Sequence, residues 1–299
     1  MTDLATPAIA NPVPAMSSEE LRAARLSAFV RYSLLTIVGL IMLYPLIWLI
    51  GASFKTNSEI FGSIGFIPQD PTLDGYRKGW ETSTPYTFGR FFWNTFLIIL
   101  PKTIFTAISC ALVAYGFARF EFPGKKILFA SLIATLLLPN VVTRIPQYIL
   151  FRDLGWLDTY LPLWVPSAFA GDAFFVFMLV QFLRAIPRDM EEAARVDGAN
   201  SLQTLLYIVV PMLTPALISV ALFQFMWTMN DFLGPLIYLS SVESFPVSLA
   251  LKLSIDTTEA FDWNRILAMS VLALLPALIV FFMAQKYFIE GISAGGVKG

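Results

Sequence analysis

The sequence predicts an all-α integral membrane protein with six transmembrane helices. Of the 299 residues, 57% are hydrophobic and only 14% are charged, and the mean hydropathy is +0.70, whereas a soluble domain carries about 25% charged residues. Six apolar runs reach the roughly 20 residues that a helix needs to cross the hydrocarbon layer of a bilayer. No long soluble domain interrupts them.

The first apolar run resembles a signal peptide only superficially. It is too long for the apolar region of such a peptide and follows about 30 mostly polar residues, so we interpret it as a retained helix. The six predicted spans are Ser33 to Ser53, Thr95 to Phe117, Ile127 to Ile149, Leu161 to Leu183, Leu206 to Thr228 and Ile266 to Tyr287.

Composition predicts the remaining segments. The stretch from Met1 to about Glu20 is rich in Ala, Pro and Ser and lacks apolar periodicity, which is typical of disorder. We therefore divide the chain into a cytoplasmic, largely disordered leader (1–32), the first transmembrane helix (33–53), an extracytoplasmic loop (54–90), a five-helix transmembrane domain (91–288) and a cytoplasmic tail (289–299).

The distribution of Lys and Arg predicts the orientation. Six spans place both termini on one side, and the positive-inside rule assigns the cytoplasm to the side with more Lys and Arg. The terminal side carries eleven such residues and the other side seven. Both termini are therefore expected in the cytoplasm.

The same composition excludes several function classes. The chain has no histidine and a single cysteine, Cys110, which removes imidazole-based catalysis, histidine metal sites and internal disulfides. A net charge of −1 gives no broad basic surface for nucleic acid. Residues Gly124–Lys126 lack the upstream glycine and following hydroxyl of a phosphate-binding loop.

A polar connector between the fourth and fifth spans is the most informative segment. Its acidic first turn after Pro187 and the glycine at Gly198 predict a short surface helix that ends in a left-handed residue. Asn200 and Gln203 are spaced for a capping box that starts the next helix, and Arg195 is within ion-pair reach of Glu191 and Glu192. This elbow is either a docking site for another protein or an amphipathic connector on the membrane surface.

The residue pattern of this connector resembles that of a known family. Glu192–Gly198 reads E-A-A-x-x-x-G, and nine residues separate Gly198 from Ile208, which opens I-x-V-P at Pro211. This pattern is similar to the EAA loop of ATP-binding-cassette importer permeases, here 184–211, with Val210 in place of the usual leucine. Similar stretches are Tyr115 to Gly124, Glu191 to Ala199, Met229 to Leu236 and Gly295 to Gly299.

The resemblance is to binding-protein-dependent permeases of the maltose and multiple-sugar type. It implies the type I ABC importer permease fold with a cytoplasmic coupling helix, located in a bacterial-type cytoplasmic (inner) membrane. It implies carbohydrate import, no ATPase site or cofactor on this chain, and ATP and Mg on two cytoplasmic ATPase subunits. The other implied partners are a second permease, usually a different chain, and an extracytoplasmic solute-binding protein. Carried over by the motif, the ATPase-coupling residues are Glu191, Glu192, Ala193, Ala194, Asp197 and Gly198, with Glu192 as the acidic contact.

Polar residues within the spans are candidates for the substrate pathway, because an ionisable group near the bilayer centre costs about 2.5–3.5 kcal/mol. Each also has a structural reading: Lys102 could pair with another helix or snorkel, and Asn230 with Asp231 could lock a helix end. Two intramembrane cations favour an anionic solute, such as a uronate oligosaccharide, over a neutral sugar. The candidates are Lys102, Arg144, Gln224, Asn230 and Asp231.

Two other function classes remain open at this point. An autonomous secondary transporter or channel would need no ATPase, but it is expected to carry paired intramembrane acids, and we identified only Asp231 near a span end. The second class is an integral-membrane enzyme, but the sequence contains no recognisable nucleophile or metal motif that would support it.

Overall fold

The computed structural model describes residues 18–63, 65–82, 84–256 and 262–296. All regular elements in these ranges are helical. They are α1 (Ser18–Ala52), α2 (Asn57–Gly62), α3 (Asp74–Glu81), α4 (Phe88–Arg119), α5 (Lys125–Leu136), α6 (Asn140–Asp153), α7 (Leu161–Ala168), α8 (Ala173–Ala185), α9 (Asp189–Val196), α10 (Ser201–Thr204), a π turn (Leu205–Val209), α11 (Val210–Met229), α12 (Leu233–Tyr238), a 3₁₀ turn (Val242–Ser244), α13 (Val247–Asp256) and α14 (Trp263–Gly296).

Within the described residues, five helical segments are long and apolar enough to cross a membrane, and the bent pair of α5 and α6 makes a sixth. This confirms the predicted all-α membrane fold. The five unbroken candidates are Ala24–Ala52, Phe88–Arg119, Leu161–Ala185, Ser201–Met229 and Trp263–Gln285.

The third predicted span is the one that differs most from a straight helix. Its two halves, α5 and α6, meet at 105°. The break lies at Pro139, which is the N-cap of α6 with φ −61° and ψ 127°. Proline has no N–H to continue a helix and disfavours helical geometry in the residue before it, so the apolar run from Ile127 to Ile149 forms two helices.

The fourth span is interrupted between α7 and α8. Ala170 has φ 53°, and the Gly171 amide donates to the Pro166 carbonyl at 3.2 Å. A Cβ at position 171 would lie 2.7 Å from that carbonyl oxygen, so only glycine fits this close approach. The turn places Asp172 at the start of α8, in the middle of the span.

The first and last described helices extend beyond the predicted spans. The first helix begins at Ser18, so residues 18–32 of the predicted disordered leader are helical, because the apolar helix propagates into its polar flank. At the other end, α14 continues to Gly296, past the predicted boundary at 288. The rest of the leader (1–17) and the final residues (297–299) lie outside the described residues.

The long helix α4 is central to the packing. Its second half packs with α8 and α11 around a core that includes Cys110, Leu179 and Leu213. Its first half packs with α13 and α14 through Phe88 and Met269. By contrast, the apolar middle of α1 is exposed within the chain, which leaves it free to contact lipid or another subunit.

Asp158 joins two loops near the end of the bundle where α4 begins. The backbone amides of Ser240 and Ser241 each donate to Asp158 Oδ1 at 2.9 Å, and the Ser241 hydroxyl donates to Oδ2. These hydrogen bonds, with the hydroxyl contributing most, hold the pKa of the Asp158 carboxyl below its ordinary value. The loop after α6 is thereby attached to the segment after α12.

Candidate functional site

The connector between the fourth and fifth spans folds into the predicted elbow. The acidic residues Asp189, Glu191 and Glu192 occupy the first turn of α9, where they complement the positive end of the helix dipole. Gly198 ends the turn with φ 88°. The capping box forms as predicted. The backbone N–H of Gln203 donates to Asn200 Oδ1, and the backbone N–H of Asn200 donates to Gln203 Oε1, both at 2.9 Å.

The burial and the ion-pair partner of Glu191 differ from the prediction. Its carboxylate is buried and accepts a hydrogen bond from Arg119 Nε at 2.6 Å, with side-chain exposures of 4% and 3%. Arg119 Nη2 also donates to the Ile186 carbonyl at 3.1 Å. Glu191 therefore faces the interior and binds the last residue of α4 instead of the neighbouring Arg195, so it is not available as a direct contact for another protein.

The other predicted coupling residues lie on the surface. Glu192, Ala193, Asp197 and Gly198 are exposed, and Ala194 is half-buried. Exposed apolar side chains adjoin them in sequence on α9, since Met190 is 50% and Val196 88% exposed. We call the surface formed by Met190, Glu192, Ala193, Val196 and Asp197 the α9 surface. A patch of apolar side chains edged by carboxylates is typical of a protein-binding site.

The five predicted pathway residues line two adjoining cavities. Cavity 1 has a volume of about 330 Å³ and cavity 2 about 430 Å³, both within the range of small-molecule sites, roughly 300–1,000 Å³. Lys102 and Asp231 line both cavities, Asn230 lines cavity 1, and Arg144 and Gln224 line cavity 2. The structure thus brings together residues that are far apart in sequence.

Two of these residues also have the structural roles considered above. Asn230 Nδ2 donates to the Met226 carbonyl at 2.7 Å and closes the end of α11. Asp231 Oδ1 accepts from the Gly234 amide at 3.0 Å at the start of α12. Both side chains lock helix ends while their residues line cavity walls.

Gln224 has an unsatisfied acceptor. The residue is 2% exposed, and its Nε2 donates to Thr228 Oγ1 at 2.9 Å. Its Oε1 is buried without a hydrogen-bond partner among the described residues. A buried carbonyl oxygen without a partner costs about 1–3 kcal/mol, so this oxygen requires an explanation.

Sequence reasoning missed Asp172, which also lines cavity 2. Asp172 shares this cavity with Lys102. The available signal was a Gly–Asp pair, Gly171 and Asp172, within an otherwise apolar run. Cavity 2 therefore has two cations, Lys102 and Arg144, and two carboxylates, Asp172 and Asp231.

Comparisons with known proteins identify a family and several similar proteins. Residues 103–293 match the family described as the binding-protein-dependent transport system inner membrane component. The chain is 32% identical to a probable ABC transporter permease protein of Pyrococcus horikoshii, over 87% of this chain and 94% of that protein. It is 29% identical to the arabinooligosaccharides transport system permease protein of Bacillus subtilis, over 88% and 92%.

A solved structure is similar over nearly the whole chain. It is a bacterial ABC transporter involved in the import of the acidic polysaccharide alginate, and one of its chains matches with a TM-score of 0.75 and 25% identity. The match covers 92% of this chain and 100% of that chain.

Proposed function

Because the chain belongs to the family of binding-protein-dependent transport system inner membrane components, we propose that it forms half of the membrane pathway of an ATP-driven oligosaccharide importer. It is a permease of the sugar ABC importer type. Family membership favours this mechanism over an autonomous transporter or channel. The chain is thus a transport component.

The observation that carries the proposal is the buried connection between α9 and α4. Helix α4 has 32 residues, about 48 Å at 1.5 Å per residue. Its last residue, Arg119, binds Glu191 of α9, and Lys102 near its middle lines both cavities. In this proposal a displacement of α9 is transmitted along α4, from Arg119 to Lys102, to the cavity walls.

Energy is supplied by partners in this proposal. Two cytoplasmic ATPase subunits hold ATP and Mg, and one of them docks on the α9 surface of this chain, with Glu192 as the acidic contact and Ala193 allowing close approach. Closure of the ATPases moves α9 and α4 together. The absence of a phosphate-binding loop from the sequence supports the assignment of hydrolysis to separate subunits.

Two further partners complete the proposed importer, a second permease and a solute-binding protein. The exposed apolar α1 supports contact with a second permease, which we propose is a different chain. The family description supports a solute-binding protein that delivers sugar from outside. We place both termini in the cytoplasm, since the Lys and Arg distribution favours this side.

The substrate class is an oligosaccharide. An acidic one is the hypothesis that the two cations suggest, and the likeness to the alginate importer supports it. Two acidic residues, Asp172 and Asp231, line cavity 2 beside those cations, and the Bacillus subtilis relative is a permease for arabinooligosaccharides. The charge count thus no longer favours an acidic sugar.

The test is reconstitution of the chain with its copurifying partners in proteoliposomes. We expect oligosaccharide uptake that requires ATP and the binding protein and that persists when ion gradients are collapsed. Uptake by the chain alone, driven by an ion gradient, would contradict the proposal.

A further inference from the structure

Four basic residues meet where α5 begins and α8 ends. Lys125 and Lys126 open the first turn of α5, Arg184 lies in the last turn of α8, and Arg188 is the N-cap of α9. The guanidinium carbon of Arg184 lies 5.4 Å from the centroid of the Phe129 ring on α5, which brings the two helix ends together. We call Lys125, Lys126, Arg184 and Arg188 the basic cluster.

Two members of the basic cluster hold the end of α4. Lys125 Nζ donates to the Phe120 carbonyl at 2.8 Å, and Arg188 Nη2 donates to the Ala118 carbonyl at 3.3 Å. Cations at the carboxyl end of a helix complement its dipole. Because Arg119, between these two carbonyls, binds α9, the cluster lies beside the connection between α4 and α9.

The basic cluster has a surplus of positive charge. Among the described residues, only Glu121 forms an ion pair with it, to Lys125 at 2.8 Å. The hydrogen bond from Lys125 lowers the pKa of the Glu121 carboxyl most, and the charges of two further members of the cluster lower it less, which places these cations around one carboxylate. Even with Asp189, next to Arg188 in sequence, four cations face two carboxylates.

The basic cluster also lies where the chain enters the membrane. Residues 127–136, the rest of α5, carry no charge, and α5 with α6 makes the bent candidate span. Ile127 is 73% and Leu128 54% exposed. Lys126 and Arg184 are exposed as well, and in the described part of the chain neither has an ion-pair partner. Exposed cations beside an exposed apolar face fit a molecule with an anionic head and an apolar tail.

We propose that the basic cluster binds the phosphate group of an anionic phospholipid, with Lys126 and Arg184 contacting the phosphate and an acyl chain lying along Ile127 and Leu128. Basic pockets between transmembrane helices at the cytoplasmic face bind anionic head groups, and this is the side that we assign to the cytoplasm. An acidic protein surface would meet the charge but would leave the apolar face uncovered. Bound phosphate offsets the repulsion among the cations and bridges α5 to α8, which stabilises the junction that holds α9.

The test measures the apparent melting temperature of the tagged chain, purified with its partners in a neutral detergent, as lipid is added. Phosphatidylglycerol is compared with phosphatidylcholine, which has a phosphate and acyl chains but no net charge. Glycerol 3-phosphate, which has the phosphate without the chains, is the third probe. The variant is Lys126→Gln, Arg184→Gln. The matched control is Arg22→Gln, Arg25→Gln, which removes two exposed positive charges from α1.

We expect phosphatidylglycerol to raise the melting temperature of the wild type. The half-maximal lipid concentration should be about 30-fold higher for Lys126→Gln, Arg184→Gln, since each cation near a lipid head group contributes about fivefold. The control should respond as the wild type does. Without lipid the variant should melt close to the wild type, because it breaks no ion pair among the described residues and relieves repulsion, which separates lost binding from misfolding.

Four outcomes would overturn the proposal. Equal stabilisation by phosphatidylcholine would exclude a requirement for net charge, and an equal response to glycerol 3-phosphate would favour a free phosphate over a lipid. A wild-type lipid response in Lys126→Gln, Arg184→Gln would place the site elsewhere. Loss of copurifying ATPase from this variant, with its lipid response intact, would assign the cluster to an acidic protein surface. None of these measurements involves sugar uptake, so failure of the proposed import function would be seen separately.

Discussion

Arg119 Nε lies 2.6 Å from Glu191 Oε1, and both side chains are almost fully buried. The pair joins the last residue of α4 to the inner face of α9. A buried ion pair contributes little net stability, but removal of one partner leaves a buried charge and costs about 3–5 kcal/mol. The pair therefore fixes where α9 sits.

Glu191→Gln should destabilise the connection and lower ATP-driven uptake, because Arg119 then keeps a buried charge without an ionised partner. The measurement is the apparent melting temperature in detergent together with uptake. The double variant Arg119→Met, Glu191→Met should recover stability, since no unpaired charge remains.

The exposed pair Lys125 and Glu121 is the control for that prediction, at 2.8 Å with Glu121 85% exposed. Glu121→Gln should leave stability almost unchanged, because an exposed ion pair contributes little. Equal effects of Glu121→Gln and Glu191→Gln would contradict the role given to the buried pair.

Gly198→Ala should disturb the elbow through the backbone alone. Gly198 has φ +88°, and a Cβ there would meet nothing within 4 Å, so the expected cost of about 1–2 kcal/mol is that of left-handed geometry for a residue with a side chain. Uptake should fall because α9 shifts. Gly116→Ala, with no neighbouring atom within 4 Å and no positive φ, should be neutral or stabilising.

Gly171→Ala should disturb the break between α7 and α8. The new Cβ would approach the Pro166 carbonyl oxygen to 2.7 Å, so the turn that positions Asp172 must move. We expect lower uptake per assembled complex. Gly39→Ala on α1, where a Cβ meets nothing within 4 Å, should leave uptake unchanged, and an equal loss in both variants would argue against the turn as the cause.

The contacts of Asp158 predict a pH dependence. Its folded pKa is lowered by the Ser241 hydroxyl and the two serine amides, so its stabilising contribution is present above the ordinary carboxyl pKa and is lost as the pH falls through the lowered value. The stability difference between wild type and Asp158→Asn should therefore hold constant near neutral pH and shrink below about pH 4.

Thermal unfolding in detergent from about pH 7 to about pH 3 measures that difference. Asp153→Asn is the control, because Asp153 is 60% exposed and pairs with the adjacent Arg152. A difference for Asp158→Asn that grows on acidification would contradict the assignment.

Hydropathy and local caps account for the parts of the fold that were predictable. Apolar length decides which segments can cross a bilayer, and local hydrogen bonds decide the elbow at Gly198 and Asn200. Both depend on residues close together in sequence, so the sequence alone suffices for them.

Long-range relationships were not predictable in this way. Glu191 and Glu192 are adjacent and chemically alike, and only the packing of α9 on α4 buries one against Arg119 and exposes the other. Asp172 was missed because its span was interpreted as one continuous helix. The proline break at Pro139 was likewise hidden within an apolar run whose length alone satisfies a span.

The central claim is that the α9 surface couples the membrane pathway to separate ATPases, and its most direct test is the amount of ATPase that copurifies with the tagged chain in mild detergent. For Glu192→Ala we expect a loss of about tenfold or more relative to wild type, the value of a charge-assisted hydrogen bond, with Glu121→Ala retaining the wild-type amount. Equal ATPase recovery from Glu192→Ala and wild type, or wild-type chain that is intact yet carries no ATPase, would contradict the claim.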